Sequence, residues 1–287
     1  MTYLLLSILS STAIFITFKI SARFKVNLLN LIIINYLVAS SLGFYLNQHS
    51  ISISNAIHSK WLYLALIIGI LYIAMFFLIG YSTRNSGVAV TTIASKLSVV
   101  VPVLFSIVYF GESKSTFKLL GLSLAALAVL LTSYRSFNTG KNMKLFIIPL
   151  VIFMGAGATD SMVKYAQTFY INNQLGLLFP AVIFLSALIT GLLYILLAAQ
   201  STMKKITLSE VLFGIFLGCV NFGSLYFLIL SLNNSKLDSS VVFGLNNLCI
   251  VVFSVLFGIV FFQEKLSKVN FAGIIAALAA LLILMNF

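Results

Sequence analysis

Ten apolar runs follow one another along the chain, and they constrain its fold more than any other feature. Each is about 18 to 25 residues long, the length that an α-helix needs to cross a bilayer core of roughly 30 Å. Only 8% of the residues are charged, against roughly 25% in a soluble domain. Because backbone polar groups in lipid must be bonded within their own segment, the runs predict helices. We therefore expect an all-α integral membrane protein with ten transmembrane helices and no soluble domain.

Short polar connections separate the expected spans. The longest are residues 47–60 and 135–144, and the second lies at the middle of the chain. The first run lacks a basic segment and a cleavage site of small residues, so we interpret it as a retained helix rather than a signal peptide. The spans are predicted at approximately 2–19, 27–46, 61–82, 87–110, 117–134, 145–165, 176–199, 209–232, 238–262 and 269–286.

An apolar decamer occurs twice. VLFSIVYFGE at 103–112 returns as VLFGIVFFQE at 255–264, with seven of ten positions identical at an offset of 152. The first and sixth spans and the third and eighth spans also align at constant offsets, which is typical of diverged duplicates. Five spans per copy is an odd number, so the second copy must begin on the opposite side of the membrane. We predict two inverted five-helix repeats, residues 1–140 and 141–287, in one transmembrane unit, an architecture typical of transporters.

Two longer segments carry a resemblance to a known family. NSGVAVTTIASKLSVVVPVLFSIVYFGE (85–112) and LDSSVVFGLNNLCIVVFSVLFGIVFFQE (237–264) are each followed by an apolar helix with an early glycine, Gly121 or Gly273. In these motifs the chain resembles, over essentially its whole length, the EamA family of the drug/metabolite transporter superfamily. The resemblance implies transport of a small solute, because family members handle amino acids, other metabolites and drugs. The second copy departs from the family pattern by having Gln263 before its glutamate.

Lys96 is the most informative polar residue within the apolar runs. The helical rise puts it about 13 to 15 Å below the nearer membrane surface, farther than a lysine side chain can reach. A charge at that depth costs from about 2.5 to over 10 kcal/mol, so Lys96 must face a wet cavity or a partner, or be neutral. Thr92 and Ser95 share its helical face. We interpret Lys96 as an anion-binding group or proton carrier; the alternative is a structural lysine bonded to neighbouring carbonyls.

Other polar side chains at mid-depth are candidate substrate contacts. Asn246 and Asn247 are adjacent amides in the ninth span, where they must bind substrate or link helices because lipid offers no partner. Asn221 aligns with Tyr72 of the other copy, and both are candidates for touching substrate. Weaker candidates are Asn35, Tyr36 and Trp61, the last of which we expect to be an interfacial anchor.

Asp160 lies four residues before Lys164 in the sixth span. This spacing favours an ion pair within the helix. The alternative is a proton or cation relay in which Asp160 pairs with Lys96 across the bundle.

Glu112 and Glu264 each close a helix at the membrane surface. We expect structural roles for both at the helix ends, by hydrogen bonding or by pairing with Lys114 or Lys265. A coupling carboxylate is the alternative.

The sequence contains no sign of a cofactor, a metal site or an enzyme. Cys219 and Cys249 lie inside apolar runs, where small buried hydrophobes are expected, and His49 and His58 have no clustered cysteines or acids beside them. No GxxxxGK[ST] motif is present, so the chain does not drive transport with ATP. An enzyme would need clustered acids, histidines or a metal at depth.

The net charge of +12 arises from 17 Lys and Arg against five acids. Most bases lie in short connections, where they orient the chain and meet anionic headgroups, so we expect no nucleic-acid partner. With Lys96 set aside, 11 of them fall on the side away from the termini and five on the termini's side. The positive-inside rule therefore puts both termini outside, whereas the resemblance implies that both are inside.

We therefore expect a secondary transporter of the cytoplasmic membrane that moves a small metabolite through a cavity between the repeats. A positive charge at depth favours an amino acid or an organic anion. The alternatives are an exporter of drugs or of cationic and amphipathic metabolites on the same fold, and a channel or lipid scramblase. The expected partners are the solute and the bilayer, and a homodimer is compatible but not required.

Overall fold

The computed structural model describes residues 1–47, 59–109, 116–133, 143–171, 175–197, 206–234 and 239–285. Within these ranges every regular element is a helix. The helices are α1 (Thr2–Arg23), α2 (Leu28–Leu46), α3 (Lys60–Asn85), α4 (Val88–Leu97), α5 (Val100–Tyr109), α6 (Thr116–Ser133), α7 (Met143–Phe169), α8 (Leu178–Leu197), α9 (Leu208–Asn234), α10 (Ser239–Val260) and α11 (Lys268–Met285). The predicted all-α fold is confirmed.

Eight helical segments of the described ranges are long and apolar enough to cross a membrane, as expected of a multi-pass membrane protein. One of the eight, Val88–Tyr109, is formed by α4 and α5 together. The apolar parts of α6 and α11 are shorter, Leu119–Ser133 and Lys268–Leu284. The count of ten spans therefore stays a prediction. His49 and His58 lie outside the described residues.

Two large apolar cores hold the helices together. One joins α1, α2, α3, α8 and α9 around Phe18, Tyr36 and Phe184. The other joins α4, α5, α6, α7, α10 and α11 around Ile93 and Ile152. The most extensive helix pairings are α6 with α11, α2 with α9 and α8, α1 with α9, and α3 with α8 and α7. Each core thus contains helices from both halves of the chain, so neither half packs alone.

Hydrogen bonds between helices tie together one end of the bundle, which we call the closed end. It contains the last residues of α1, α3 and α10 and the first residues of α2, α4 and α9. The Arg84 guanidinium donates to the carbonyl of Val26 over 2.9 Å and to Oγ of Ser21 over 2.8 Å. The carboxylate of Glu210, at the start of α9, accepts from the backbone N–H of Asn27 at 3.0 Å. These bonds join three helix ends from the first half to one from the second.

The packing around α7 is less complete than the packing around α1. Helix α1 packs against α3, α4, α9 and α10, whereas α7 packs against α3, α4, α5 and α6. In the part of the chain that the structure describes, α7 does not pack extensively against α9 or α10.

Candidate functional site

The fourth predicted span is interrupted at its centre, and the candidate site lies around this interruption. The span predicted at 87–110 corresponds to the segment Val88–Tyr109, which consists of two helices: α4 ends at Leu97 and α5 begins at Val100. Pro102 has no N–H to donate to the carbonyl of Ser98, and its ring crowds that carbonyl. The Ser98 carbonyl accepts instead from the backbone N–H three residues on, over 2.9 Å. Pro102 itself lies in the first turn of α5, where proline is tolerated.

Lys96 lies in the last turn of α4, immediately before the interruption. The carbonyl dipoles at a helix C-terminus favour a cation at this position. Lys96 and Ser95 are half-buried, and Thr92 is fully buried. The hydroxyl of Thr92 has no hydrogen-bond partner within the described residues. The candidates on the predicted polar face of the fourth span therefore remain close to the interruption.

Helix α7 approaches the interruption through a glycine. A Cβ on Gly157 would lie 2.6 Å from the Ser98 carbonyl oxygen and 2.5 Å from Cβ of Val101. No side chain larger than hydrogen therefore fits there without moving the two helices apart. One turn farther along α7, Asp160 is brought to the same region.

Asp160 is exposed, and it points inward rather than toward lipid. Val151, nine residues earlier, is 42% exposed on the outer surface of α7. At about 100° per residue, Asp160 lies on the side of the helix opposite to Val151. The exposure of Asp160 is therefore to an inner space, bounded by α3 on one side and by the α4–α5 interruption on the other.

Asp160 and Lys96 lie close enough for their charges to interact, and the Ser98 hydroxyl is within reach of the Asp160 carboxylate. Their charged atoms nevertheless do not come within the 4.0 Å of an ion pair. The ion pair expected between Asp160 and Lys164 within α7 stays a prediction. The interaction between the charges of Asp160 and Lys96 is compatible with the second interpretation, a pairing across the bundle.

Tyr72 continues this polar group on α3. It interacts electrostatically with Asp160, and its ring lies edge-on to that of Phe184, with centroids 6.3 Å apart. The Tyr36 ring also packs against Phe184, at 6.0 Å, and its buried hydroxyl has no partner in the described residues. The charged groups thus adjoin an aromatic wall formed by α2, α3 and α8.

The paired amides of α10 differ from one another. Asn246 is 3% exposed, and its Oδ1 has no hydrogen-bond partner in the described part of the chain. Asn247 is half-buried. Helix α10 packs along α4, but no contact joins either amide to Lys96, so we keep both as candidates without a direct geometric link.

Two further candidates lie away from the charged pair. Asn221 donates from Nδ2 to Oδ1 of Asn35 over 3.2 Å, which links α9 to α2. Trp61 is 7% exposed and packs edge-on against Phe179 at 6.5 Å, so it lies in an apolar cluster rather than on the surface. The first pair has a helix-linking role, and the interfacial position expected for Trp61 stays a prediction.

Glu264 has a structural position, with different partners from those expected. Its carboxylate accepts from the backbone N–H groups of Val88 at 2.7 Å and Ala89 at 3.3 Å, and it pairs with Lys19 at 3.4 Å. It therefore caps the N-terminus of α4, whose first N–H groups have no partner within the helix. Lys265 is not its ion-pair partner. Glu112 lies outside the described residues.

A tight turn makes room for this carboxylate. Gly87 has a φ of +107°, and a Cβ there would lie 2.9 Å from Oε1 of Glu264. A Cβ on Gly258 would lie 2.8 Å from Oε2. Glycine is needed at both positions for the carboxylate to reach the backbone of α4.

Sequence reasoning missed two polar residues that hold helix ends together and one residue of the site. Glu210 caps α9 through Thr207, in a Thr-x-x-Glu box that was readable in advance. Asn270 donates to the carbonyl of Thr132 over 2.7 Å, joining α11 to α6. Pro102 in the sequence could have predicted the interruption, and the interruption would have indicated Ser98, four residues earlier, as a residue of the site.

The described residues contain no group of three His, Cys, Asp or Glu side chains that could hold a metal ion. The groups near the interruption are one ammonium, one carboxylate, hydroxyls and an aromatic wall.

Comparisons with known proteins extend over the whole chain but carry little functional information. No protein-family model matches. An uncharacterized protein of Haemophilus influenzae is 26% identical over 288 aligned positions, which cover 97% of this chain and 95% of that protein. A protein of known crystal structure has a similar fold, with a TM-score of 0.59 and 16% identity over 97% of this chain and 95% of the other. The fold is thus shared with a solved structure along nearly its full length.

Proposed function

We propose that this chain is a secondary transporter, which moves a small polar metabolite by alternating access through a central cavity. In this proposal residues 1–140 and 141–287 are inverted five-helix repeats in the arrangement of EamA-like proteins, in the cytoplasmic membrane. The observation that carries it is the facing pair of Lys96 and Asp160 beside an interrupted helix at mid-depth. Charges within a membrane-spanning region are costly, and they mark solute or ion pathways. Interrupted helices are where transporters build such sites.

Equivalent close contacts in the two halves support the repeat. A Cβ on Gly69 would overlap Ser186, and a Cβ on Gly218 would overlap Val38. Gly218 is 149 residues after Gly69, and Ser186 is 148 residues after Val38. Gly69 of α3 thus contacts α8, and Gly218 of α9 contacts α2. This is expected if α3 corresponds to α9 and α8 corresponds to α2.

A second pair of contacts follows the same rule. A Cβ on Gly121 of α6 would meet Leu284 of α11, and one on Gly273 of α11 would meet Thr132 of α6. Gly273 is 152 residues after Gly121, and Leu284 is 152 residues after Thr132. The offset is that of the repeated decamer, so α6 and α11 support a two-fold relation between the halves.

The helix directions support an inverted relation. The closed end contains the last residue of α3, Asn85, and the first residue of α9, Leu208. If α3 and α9 are equivalent, they run in opposite directions through the bundle. The unequal packing of α1 and α7 is compatible with an inverted pair that is held in one conformation.

The charges of the closed end suggest an orientation. Arg23, Lys25, Arg84, Lys265 and Lys268 all lie at or beside this end. Positive residues favour the cytoplasmic side, so the proposal puts the closed end in the cytoplasm and the open cavity outside. Labelling of single cysteines replacing Lys25 or Tyr45, in a chain without Cys219 and Cys249, tests this orientation.

Solute exchange in proteoliposomes tests the transport proposal. Vesicles loaded with an unlabelled amino-acid and organic-acid mixture should accumulate labelled solute from outside, with saturation and with dependence on internal solute. The variant Lys96→Gln should lose this accumulation, whereas Lys265→Gln at the closed end should retain it. Flux that does not saturate and ignores internal solute would indicate a channel and overturn the proposal.

Asp160 also favours a second candidate, an exporter of cationic or amphipathic metabolites. An exposed carboxylate in an inner space attracts cations. In that case labelled organic cations, rather than acids or amino acids, would be exchanged, and Asp160→Asn would abolish exchange while Lys96→Gln would not.

A further inference from the structure

A cleft lies on the surface of the closed end, where the chain passes from α10 to α11. Its volume is about 410 Å³, and its lining residues are Ile259, Glu264, Leu266, Ser267, Lys268 and Phe271. The apolar span within α10 ends at Val260, and α11 begins at Lys268. The cleft therefore lies at the level where the apolar part of the bundle meets its polar end.

The apolar side of the cleft continues along two exposed helix faces. Ile259 is 41% exposed, and the exposed Leu256 and Val252 precede it on the same face of α10, at spacings of three and four residues. Phe271 is 57% exposed, and the exposed Ile275 follows it one turn along α11. Because α10 and α11 pack against each other, the two faces form an apolar groove that begins at the cleft.

The polar side of the cleft offers a positive charge. Lys268 is exposed, and in the part of the chain that the structure describes no carboxylate lies within 4.0 Å of its ammonium. Glu264 also lines the cleft, but its carboxylate already accepts from the N-terminus of α4 and pairs with Lys19 at 3.4 Å. The charge of Lys268 is thus free to meet an anion from outside the chain.

Lys268 does not stabilise the helix in which it lies. It is the first residue of α11, where the positive end of the helix dipole disfavours a cation. Ser267 and Asn270 already cap this helix: the Asn270 side chain accepts from the N–H and the hydroxyl of Ser267, at 3.0 and 2.7 Å. An anion beside Lys268 would offset its unfavourable position.

Two further bases surround the mouth of the cleft. Lys265 is exposed in the loop between α10 and α11. The guanidinium of Arg23 lies 5.4 Å from the centre of the Phe262 ring, which belongs to the same loop. Each base near an anionic membrane surface adds to the attraction. With Lys268, these residues bring three positive charges to the mouth, against one carboxylate that is already paired.

We infer that the cleft binds an anionic glycerophospholipid, with the lipid phosphate on Lys268 and an acyl chain along the apolar groove. An ammonium at the apolar boundary matches the phosphate, and the groove matches a hydrocarbon chain. A soluble anion would leave the groove uncovered, and a lipid without net negative charge would not match the three bases. The inference goes beyond the proposed function, because it requires only that α10 and α11 lie in a membrane.

Lipid titration of the full-length protein, followed by native mass spectrometry from a nonionic detergent, tests the inference. The probes are dioleoylphosphatidylglycerol, dioleoylphosphatidylcholine with the same chains but no net charge, and glycerol 3-phosphate without chains. The first phosphatidylglycerol should bind about tenfold more tightly than phosphatidylcholine, because the bases act on its net charge. Glycerol 3-phosphate should not displace it at the concentration at which phosphatidylglycerol saturates the protein, because it cannot cover the groove.

Substitutions separate the polar and apolar sides of the cleft. Lys268→Gln should lower the preference for phosphatidylglycerol about fivefold, whereas Lys268→Arg should keep it. Phe271→Ala shortens the groove, so both lipids should bind more weakly by a similar factor, with an unchanged ratio. The matched control is Lys60→Gln, which removes the same charge from an exposed position at the start of α3, at the opposite end of the bundle, and should leave the ratio as in the wild type.

Three results overturn the inference. Equal affinities of the wild-type protein for the two lipids would mean that the cleft does not select charge. Equal losses of preference in Lys60→Gln and Lys268→Gln would mean that the net charge of the protein, and not the cleft, selects the lipid. Displacement by glycerol 3-phosphate would indicate a site for free phosphate compounds instead. Because none of these measurements uses solute exchange, they leave the transport proposal to its own test.

Discussion

The fourth and ninth apolar runs share a decamer but differ in backbone. Residues 88–109 form two helices, α4 and α5, whereas residues 239–260 form the single helix α10. Pro102 occupies the position that Ser254 has in the other run, at the same offset of 152. Serine keeps the N–H that an uninterrupted helix needs, and proline does not. One substitution thus accounts for the break in one copy and its absence in the other.

The two runs also contribute different charged groups. Lys96 in the first corresponds to Leu248 in the second, so one copy has a charge where the other is apolar. The second copy contributes Glu264, which caps α4 over 2.7 Å. The interrupted copy thus contributes the charged group of the candidate site, and the continuous copy holds the start of that helix in position. Duplication supplied two similar scaffolds, and a few residues made their roles unequal.

The largest expected effect comes from making the interrupted copy like the continuous one. Lys96→Leu introduces the residue found at position 248, and with Asp160→Asn it removes both charges of the pair. Solute exchange in proteoliposomes should fall by about 100-fold or more, since each lost charge-assisted contact costs about 1.5 to 3 kcal/mol. The melting temperature should stay unchanged or rise, because two costly charges leave the interior together.

Leu248→Met is the matched control for that double variant, and exchange should stay within about twofold of wild type because the volume is conserved. If the double variant exchanges solute normally, the charged copy has no special role and the comparison fails. If the melting temperature and the exchange rate both fall, the pair has a structural role instead.

The next effect concerns the proline itself. Ser254→Pro should interrupt α10 and lower the free energy of unfolding in mixed micelles by about 3 kcal/mol. Pro102→Ser restores one N–H opposite the Ser98 carbonyl, so stability should rise by about 1 kcal/mol while exchange falls. If both substitutions are neutral, the interruption has another cause than proline.

Much of the fold was readable from the sequence, for physical reasons. Bilayer thickness and the need to bond every backbone group leave an apolar run of this length few options besides a helix. That argument cannot detect interruptions within a run, since it depends on the length of the apolar run and not on the continuity of the helix. Pro102 was visible, but a proline near the middle of an apolar run reads equally as a kink or as a break.

The site was predictable only in part. The depth of Lys96 followed from counting residues, because a charge inside an apolar run has few explanations. Its relation to Asp160 was one of two alternatives, since the spacing to Lys164 favoured a pair within one helix. Likewise, Glu264 stands beside Lys265 in the sequence, yet it accepts from Val88, 176 residues away. Partners across the bundle depend on packing, which one sequence does not reveal.

A smaller effect is expected where α7 meets the interruption. Gly157→Ala would put a Cβ 2.6 Å from the Ser98 carbonyl oxygen, a backbone atom that cannot rotate away. Overpacking of this kind costs about 1 to 3 kcal/mol, and it should also weaken exchange by shifting Asp160. Gly223→Ala is the control: the nearest atom would lie 3.4 Å away, so helix propensity should make it neutral or stabilising by up to about 1 kcal/mol. Equal effects of the two would contradict close packing at the interruption.

The smallest effect tests the support that the continuous copy gives. Glu264→Gln keeps one acceptor for the N–H groups of Val88 and Ala89 but removes the charge, so stability should fall by about 1 kcal/mol. Lys19→Met removes the other partner, whose side chain is 22% exposed, and should cost less than about 1 kcal/mol. In the double variant the losses should be less than additive, because both substitutions remove the same ion pair. Strict additivity in unfolding measurements would mean that Lys19 and Glu264 act separately, and that the cap on α4 depends on its backbone contacts alone.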